Sequence, residues 1–223
     1  MKEISLSGSN ERTPVLLVSQ PSTPNLSSLP GARLETHSLK ELLRRENVEP
    51  LLIEDDTAST AHVLEEMKEY SWVHFACHAV QDQDDPLKSG FYLHDARLEL
   101  LDIMKQQIPH HAHHAFLSAC QTSTGDEKLA DEAVHLAAGM LAVGYRGVVA
   151  TMWSIADAHA PEIAENFYKY ILNSSSTAMG ETARLDCALS AYALDDSIRK
   201  IREKLGDTER VLLSWVPYIH FGI

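Results

Sequence analysis

Short apolar runs alternate with segments of helical spacing along most of the chain. Five short apolar runs, the first of them rich in β-branched residues, predict buried strands at residues 14–19, 51–53, 72–77, 115–119 and 147–152. Apolar and charged positions at helical spacing predict helices over 38–47, 57–70, 100–107, 130–143, 158–172 and 177–205. The pattern also indicates a polar lead-in at 1–12, a loop at 20–34, an exposed acidic loop at 81–88, a small hairpin around 90–98 and an apolar C-terminal stretch at 211–221.

Strands that alternate with helices predict βαβ crossovers and therefore an α/β fold. Crossover helices cover both faces of a mostly parallel sheet, which gives three layers. In such sheets, ligands bind at the loops beyond the carboxyl ends of the strands. Candidate chemistry is therefore expected there.

Composition narrows the possible functions. The chain has 223 residues, of which 44% are hydrophobic, enough for one domain with a real core, here placed at 13–223. Its net charge of −13 disfavours direct contact with nucleic acid. No apolar run is long enough to cross a membrane, and three dispersed cysteines predict a reducing compartment, the cytoplasm.

Two reactive side chains stand where predicted strands end. The third strand leads into His78 and the fourth into Cys120, which a polar run follows. If the two strands are parallel neighbours, both residues emerge at the same edge of the sheet. A cysteine nucleophile needs a base or a lowered pKa, and histidine is the usual partner.

Structural roles for the same residues remain open at this point. Cys120 can be a buried thiol and His78 a core histidine, because free cysteines are usually buried and inert. Cys77 is an alternative nucleophile, but alternation along the strand directs it to the face opposite His74 and His78. His74 is then a core residue or a support of the site, and Cys187 a small buried residue in a helix.

Three sequence blocks together resemble one known family. Residues 73–79 (VHFACHA) are similar to the histidine motif of the CHAT family of caspase-like cysteine peptidases, and 116–122 (FLSACQT) to its cysteine motif. A downstream block follows at 136–138, 142–153 and Asp157. The resemblance covers roughly residues 70–195 and implies a caspase-like three-layer fold.

The resemblance also implies the catalytic residues. Cys120 is expected to attack the scissile carbonyl as a thiolate, and His78 to activate it or to protonate the leaving amine. Backbone N–H groups of Cys120 and Ala79 are the expected oxyanion donors. Members of the family usually have glycine where this chain has Ala79, a difference that matters only if φ is positive there.

Four residues are candidates for substrate binding. By the resemblance, Ser118 and the neighbourhood of Trp153 and Asp157 line the pocket for the P1 residue of the substrate. A neutral Ser118 argues against a strong charge lock from that side. Asp157 and the acidic loop that contains Asp82 favour a basic P1 residue, although acidic loops are usually only solvated.

The segment 110–114 (HHAHH) raises the question of a metal. Histidine clusters bind zinc or nickel, but no complementary carboxylate or cysteine is spaced to complete a site. A solvated loop is the favoured interpretation, and no metal or cofactor is expected.

The resemblance implies biological expectations as well. Family members act as effector proteases of regulated cell death or immune-type signalling. They often follow TPR or sensor regions in a longer chain or are controlled by a regulatory complex. One known substrate class is a gasdermin-like protein. This chain is expected to be an excised domain or a stand-alone member that cleaves a protein substrate. Two rivals remain, a catalytically silent caspase-like module that serves as an interaction scaffold and a different thiol hydrolase on the same fold.

Overall fold

The structure is a computed structural model that describes residues 15–82, 84–106, 112–121, 134–153, 155, 157–174, 185–206 and 208–223. The strands are β1 (Val15–Ser19), β2 (Leu51–Glu54), β3 (Trp72–Val80), β4 (Gly90–Tyr92), β5 (Arg97–Glu99), β6 (His114–Gln121), β7 (Gly147–Thr151) and β8 (Tyr218–Gly222). The α-helices are α1 (Pro30–Arg45), α2 (Thr60–Glu66), α3 (Leu100–Lys105), α4 (Val134–Val143), α5 (Ala160–Ser174), α6 (Ser190–Leu205) and α7 (Glu209–Trp215). Within the described residues, the strands form one sheet.

The sheet has the order β2-β1-β3-β6-β7-β8, and the β4–β5 hairpin is attached to the end of β3. Pairing is parallel from β2 to β7 and antiparallel for β7–β8, β3–β4 and β4–β5. β3 and β6 therefore lie side by side near the middle of the sheet. This is the arrangement that would bring His78 and Cys120 to the same edge. The predicted α/β architecture is confirmed.

Two hydrophobic cores lie on opposite faces of the sheet. Alternate β3 residues divide between them: Trp72 packs with α1, α5 and α6, whereas Val73, Phe75 and Cys77 pack with α2, α3 and α4. Most side chains of the middle strands are apolar on both faces of the sheet, which is the reason for their nearly continuous apolar runs. This is the three-layer arrangement predicted from the sequence.

The predicted loop at 20–34 is wrong in its last residues, because α1 begins at Pro30. Proline fits the first turn of a helix, where its missing N–H costs nothing. Its neighbour Gly31 donates its N–H to the Asp157 carboxylate at 2.7 Å, so the helix start is capped by a residue 126 positions away. Local sequence carries no sign of such a cap.

Other boundaries also differ from the prediction. The helix predicted at 57–70 is α2 with a 3₁₀ turn before it, Asp55–Thr57. Residues 185–186, inside the helix predicted at 177–205, are not helical, and a 3₁₀ turn (Cys187–Leu189) precedes α6. The apolar stretch 211–221 contains part of α7 and the edge strand β8. The predicted lead-in 1–12 lies outside the described residues.

Candidate active site

The site is built at the carboxyl ends of β3 and β6. The parallel ladder places His78 in register with Cys120, and the pairing continues for one more residue to Ala79 and Gln121. Paired positions on neighbouring strands lie about 4.8 Å apart. Both residues therefore belong to the last positions of their strands rather than to the loops beyond, which corrects the shorter strands predicted at 72–77 and 115–119.

A backbone carbonyl fixes the His78 ring. His78 is only 2% exposed, and its Nε2 lies 2.7 Å from the carbonyl oxygen of Ser27, in the segment before α1. A carbonyl oxygen can only accept a hydrogen bond, so Nε2 carries the proton and Nδ1 of the neutral ring has a free lone pair. Nδ1 is buried and has no hydrogen-bond partner among the residues that the structure describes. The ring is therefore prepared to take a proton at Nδ1.

A buried carboxylate supports both strands from α1. Glu35, 1% exposed, places Oε1 at 2.8 Å from His74 Nε2, and its Oε2 accepts the hydroxyl hydrogen of Ser118 at 2.9 Å. The ring of His74 is stacked on Phe116. His74 is thus a support of the site, one of the two roles that the sequence left open for it.

Ser118 is almost completely buried and bonded to the supporting carboxylate. It is 6% exposed, and its hydroxyl donates to Glu35, which lies directly behind it. The absence of a strong charge lock for the P1 residue on this side stays a prediction. The carboxylate comes from a helix 83 residues earlier in the chain, which a reading of the cysteine motif cannot reveal.

Two of the other three predicted binding residues, Asp157 and Asp82, form hydrogen bonds within the protein. Asp157, partly buried, caps α1 through Gly31. Oδ1 of Asp82 accepts the backbone N–H groups of Asp84 and Asp85, at 3.2 and 2.9 Å, and so shapes its own acidic loop. Trp153 is partly buried directly after β7. Their contact with a substrate stays a prediction.

Ala79 lies inside β3 and is 1% exposed. It is in register with Gln121 of β6 and with Phe91 of β4, and its φ is not positive. The alanine in place of the family glycine therefore causes no backbone strain. The role of the Ala79 and Cys120 N–H groups as oxyanion donors stays a prediction.

Sequence reasoning missed two contributors, Ser27 and Glu35. Ser27 acts through its backbone, so no side-chain pattern marks it. Glu35 had a signal: with Ala32, Leu39 and Leu43 it lies on the buried face of α1, and a lone carboxylate on an apolar stripe needs a buried partner. The sequence pattern hides this signal, because it predicts a loop up to 34 and a helix only from 38.

The remaining candidates are structural. Cys77 is fully buried in the opposite core, as alternation predicts, and burial raises the pKa of the buried Cys187 thiol. His114 is not part of a solvated loop: it is fully buried, bonded through Nδ1 to Ser190 Oγ at 3.1 Å, and burial keeps its pKa well below the ordinary value. Residues 110 and 111 lie outside the described residues. Within those that are described, no group of three metal-ligating side chains forms a metal site.

Comparison with known proteins decides the family. The CHAT domain family model matches residues 2–222, nearly the whole chain. The chain belongs to the CHAT family. The comparison with curated proteins gives no match for this domain.

Solved structures agree on the fold of the CHAT domain. The crystal structure of the Arg-specific cysteine proteinase gingipain R (RgpB) aligns over 96% of this chain and 47% of its own, with a TM-score of 0.57 and 12% identity. The complex of Porphyromonas gingivalis RgpB pro- and mature domains aligns over 96% and 48%, with a TM-score of 0.54 and 11% identity. The fold is thus caspase-like, and the CHAT domain spans about half the length of these structures. No helix in the described part of the chain is both long and apolar enough to cross a membrane.

Proposed function

We propose that this CHAT domain is a cysteine-type endopeptidase in which Cys120 is the nucleophile and His78 the general base and acid. The proposal is carried by one observation: the ring of His78, in register with Cys120, is held through Nε2 by the Ser27 carbonyl, with Nδ1 left as its proton acceptor. A base fixed by a third group beside a nucleophile is the usual arrangement for covalent catalysis.

The chemistry follows from this arrangement. His78 Nδ1 takes the thiol proton of Cys120, and the thiolate sulfur attacks the carbonyl carbon of the scissile peptide bond. Collapse of the tetrahedral intermediate breaks the C–N bond, and His78 returns the proton to the departing amine. Water, deprotonated by the same ring, then cleaves the thioester and frees the carboxylic acid and the thiol. No step requires a metal or a cofactor.

The expected substrate is a protein with a basic P1 residue. Three carboxylates, Glu35 behind Ser118, Asp157 after β7 and Asp82 in the acidic loop, lie on segments that adjoin the site strands. A negative field of this kind attracts lysine and arginine. The gingipain R neighbour is described as Arg-specific, so arginine is the first P1 residue to test. The proposed biological role is that of an effector protease in cell death or immune-type signalling, with a gasdermin-like protein as one substrate to test.

The decisive experiment compares three proteins on a proteome-derived peptide library, read by mass spectrometry. Wild type and the matched control Cys77→Ala should cleave, because Cys77 lies in the opposite core. Cys120→Ala should not. Cleavage that persists in Cys120→Ala, or that is lost only in Cys77→Ala, would refute the nucleophile. A P1 profile that ranks uncharged residues above arginine and lysine would remove the basic-P1 proposal alone.

If none of the three proteins cleaves the peptide library, a second measurement is needed. Labelling by iodoacetamide, with each modified cysteine mapped by mass spectrometry, reports on the thiol without any substrate. A Cys120 that reacts far faster than Cys77 and Cys187 indicates a latent protease that needs a partner or processing. An inert Cys120 indicates the alternative, a caspase-like scaffold without catalysis.

A further inference from the structure

The carboxylate of Glu35 is one of the few charged groups that the described residues bury almost completely. It lies on α1 and uses its two oxygens on two different strands, Oε1 on His74 of β3 and Oε2 on Ser118 of β6. A buried charge is costly unless it is fully hydrogen-bonded. A carboxylate bonded in this way joins one helix to both strands of the site at once.

The two strand partners lie on the same strands as the reacting groups. Ser118 precedes Cys120 by two residues on β6, a distance of about 7 Å along a strand. His74 precedes His78 by four residues on β3, about 13 Å. Both lie at positions of the same strand face as the residue they precede. The carboxylate therefore sits at the base of the two strand ends that carry the proposed dyad.

The position of α1 also affects the Ser27 carbonyl, which holds the His78 ring. Ser27, whose carbonyl holds His78, lies in the segment that leads into α1. That segment is tied to the sheet where Gln20 donates its N–H to the Ala76 carbonyl at 3.0 Å, and Leu29 and Ala32 pack on Ala76. Ser27 also lies only three residues before α1 begins at Pro30, so a shift of α1 along the sheet would move the Ser27 carbonyl away from His78 Nε2.

We propose that Glu35 is a positioning residue of the proposed peptidase: by clamping α1 to β3 and β6, it sets the distance between the Ser27 carbonyl and His78 and thereby the proton-accepting state of Nδ1. This inference rests on the proposed function for its catalytic meaning. It does not make Glu35 a catalytic residue, because Glu35 acts through His74, Ser118 and α1.

The helix supplies a matched control beside Glu35. Thr36 is also fully buried, but its hydroxyl donates to the carbonyls of Ala32 and Arg33 in its own helix, at 3.1 and 3.3 Å. Thr36→Val therefore perturbs the buried face of α1 without breaking a bond to either site strand. Glu35→Ala removes both bonds, and Glu35→Gln keeps the length and one oxygen acceptor.

The test measures the rate of alkylation of Cys120 by iodoacetamide as a function of pH, together with peptide cleavage. In Glu35→Ala, we expect the Cys120 alkylation profile to move to higher pH and kcat to fall at least about tenfold while KM changes less than about threefold. Glu35→Gln should restore most of the wild-type profile, and Thr36→Val should match wild type. Circular dichroism confirms that each variant is folded.

Every outcome bears on the proposal. A folded Glu35→Ala with wild-type alkylation and kcat refutes it, and so does an equal shift in Thr36→Val, which would indicate a general effect of packing. If Glu35→Ala does not fold, Ser118→Ala removes one of the two bonds and should give a smaller shift in the same direction; no shift refutes the proposal. If wild type cleaves no peptide but its Cys120 is reactive and Glu35→Ala shifts the alkylation profile, positioning by Glu35 stands in a latent protease. If Cys120 of wild type reacts no faster than Cys77 and Cys187, the peptidase proposal fails, and the positioning role of Glu35 fails with it.

Discussion

Nε2 of His78 lies 2.7 Å from the carbonyl oxygen of Ser27, although 51 residues separate the two in sequence. Because the partner is a backbone group, no side-chain substitution at 27 removes it, and only displacement of the segment before α1 can. The proton on Nε2 leaves Nδ1 as the lone-pair nitrogen on the ring. This single contact fixes the tautomer of the histidine that lies in register with Cys120.

The tautomer of His78 is a direct prediction. At about pH 8, where a histidine is neutral, the ring should carry its proton on Nε2, because the Ser27 carbonyl accepts from that nitrogen. Long-range ¹H–¹⁵N spectra of the imidazoles distinguish the two tautomers, and His78→Asn assigns the signals. An Nδ1–H tautomer for His78 in the folded protein would contradict the assigned geometry.

Stability should fall on mild acidification because of the buried His114 and the half-buried His220 at the other end of the sheet. Burial, and then the neighbouring His220 and His74, lower the pKa of His114, and burial lowers that of His220. In the unfolded chain these rings bind protons below about pH 6.5, whereas in the folded protein they stay neutral to lower pH. The unfolded state thus gains protons first, and the free energy of unfolding decreases as pH falls through this range.

Urea unfolding at several pH values measures this effect. Between about pH 7.5 and 5.5, His114 alone should account for a loss on the order of 1 kcal/mol. His114→Phe keeps an aromatic ring and should remove that part of the slope, while the exposed His94→Gln should keep it. A wild-type slope retained in His114→Phe would show that other groups cause the acid sensitivity.

Substitution of either partner in the α1 cap, Gly31 or Asp157, should lower the free energy of unfolding. Asp157→Ala should lower the free energy of unfolding by about 1 kcal/mol, because a helix N-terminus loses its acceptor. Gly31→Ala places a methyl group against the backbone oxygen and the carboxylate of Asp157, and overpacking of this kind costs about 1–3 kcal/mol.

A double-mutant cycle tests whether the two changes act on one contact. The combined variant should lose clearly less stability than the sum of the two single variants, since each already breaks the same cap. Asp157→Asn keeps an acceptor and serves as the mild control. Additive losses would indicate that Asp157 stabilises the protein through some other contact.

Removing one partner of the Glu35–His74 pair should lower the free energy of unfolding more than replacing both partners with apolar residues. His74→Leu leaves the buried carboxylate with Ser118 alone and should lower the free energy of unfolding by about 3–5 kcal/mol. Adding Glu35→Met removes the stranded charge and should recover a large part of that loss. Urea unfolding of the two variants measures both values, and a double variant less stable than His74→Leu would contradict this expectation.

The double variant should regain stability without regaining the wild-type reactivity of Cys120. The double variant lacks the bonds from α1 to both site strands, so the positioning role of Glu35 predicts that its Cys120 alkylation profile stays displaced. Stability and reactivity are thereby separated in one protein.

The sequence by itself determined the α/β class, the runs that become β1, β2, β3, β6 and β7, and the placement of His78 and Cys120 at the ends of two of these strands; that the two strands are neighbours came from the structure. It did so because buried parallel strands are apolar over consecutive residues and end in polar segments, both local properties. The family motifs add specificity to the same two strand ends. The face assigned to Cys77 also follows locally, since side chains alternate along a strand.

Only the tertiary structure decided what surrounds those two residues. The contacts that define the site join residues far apart in sequence: Glu35 to His74 over 39 positions, His78 to Ser27 over 51, Ser118 to Glu35 over 83 and Gly31 to Asp157 over 126. Two of them use backbone atoms, which carry no side-chain signal. The edge strand β8 likewise depends on pairing with β7. Such contacts follow from how helices pack on the sheet, a global property that no local pattern encodes.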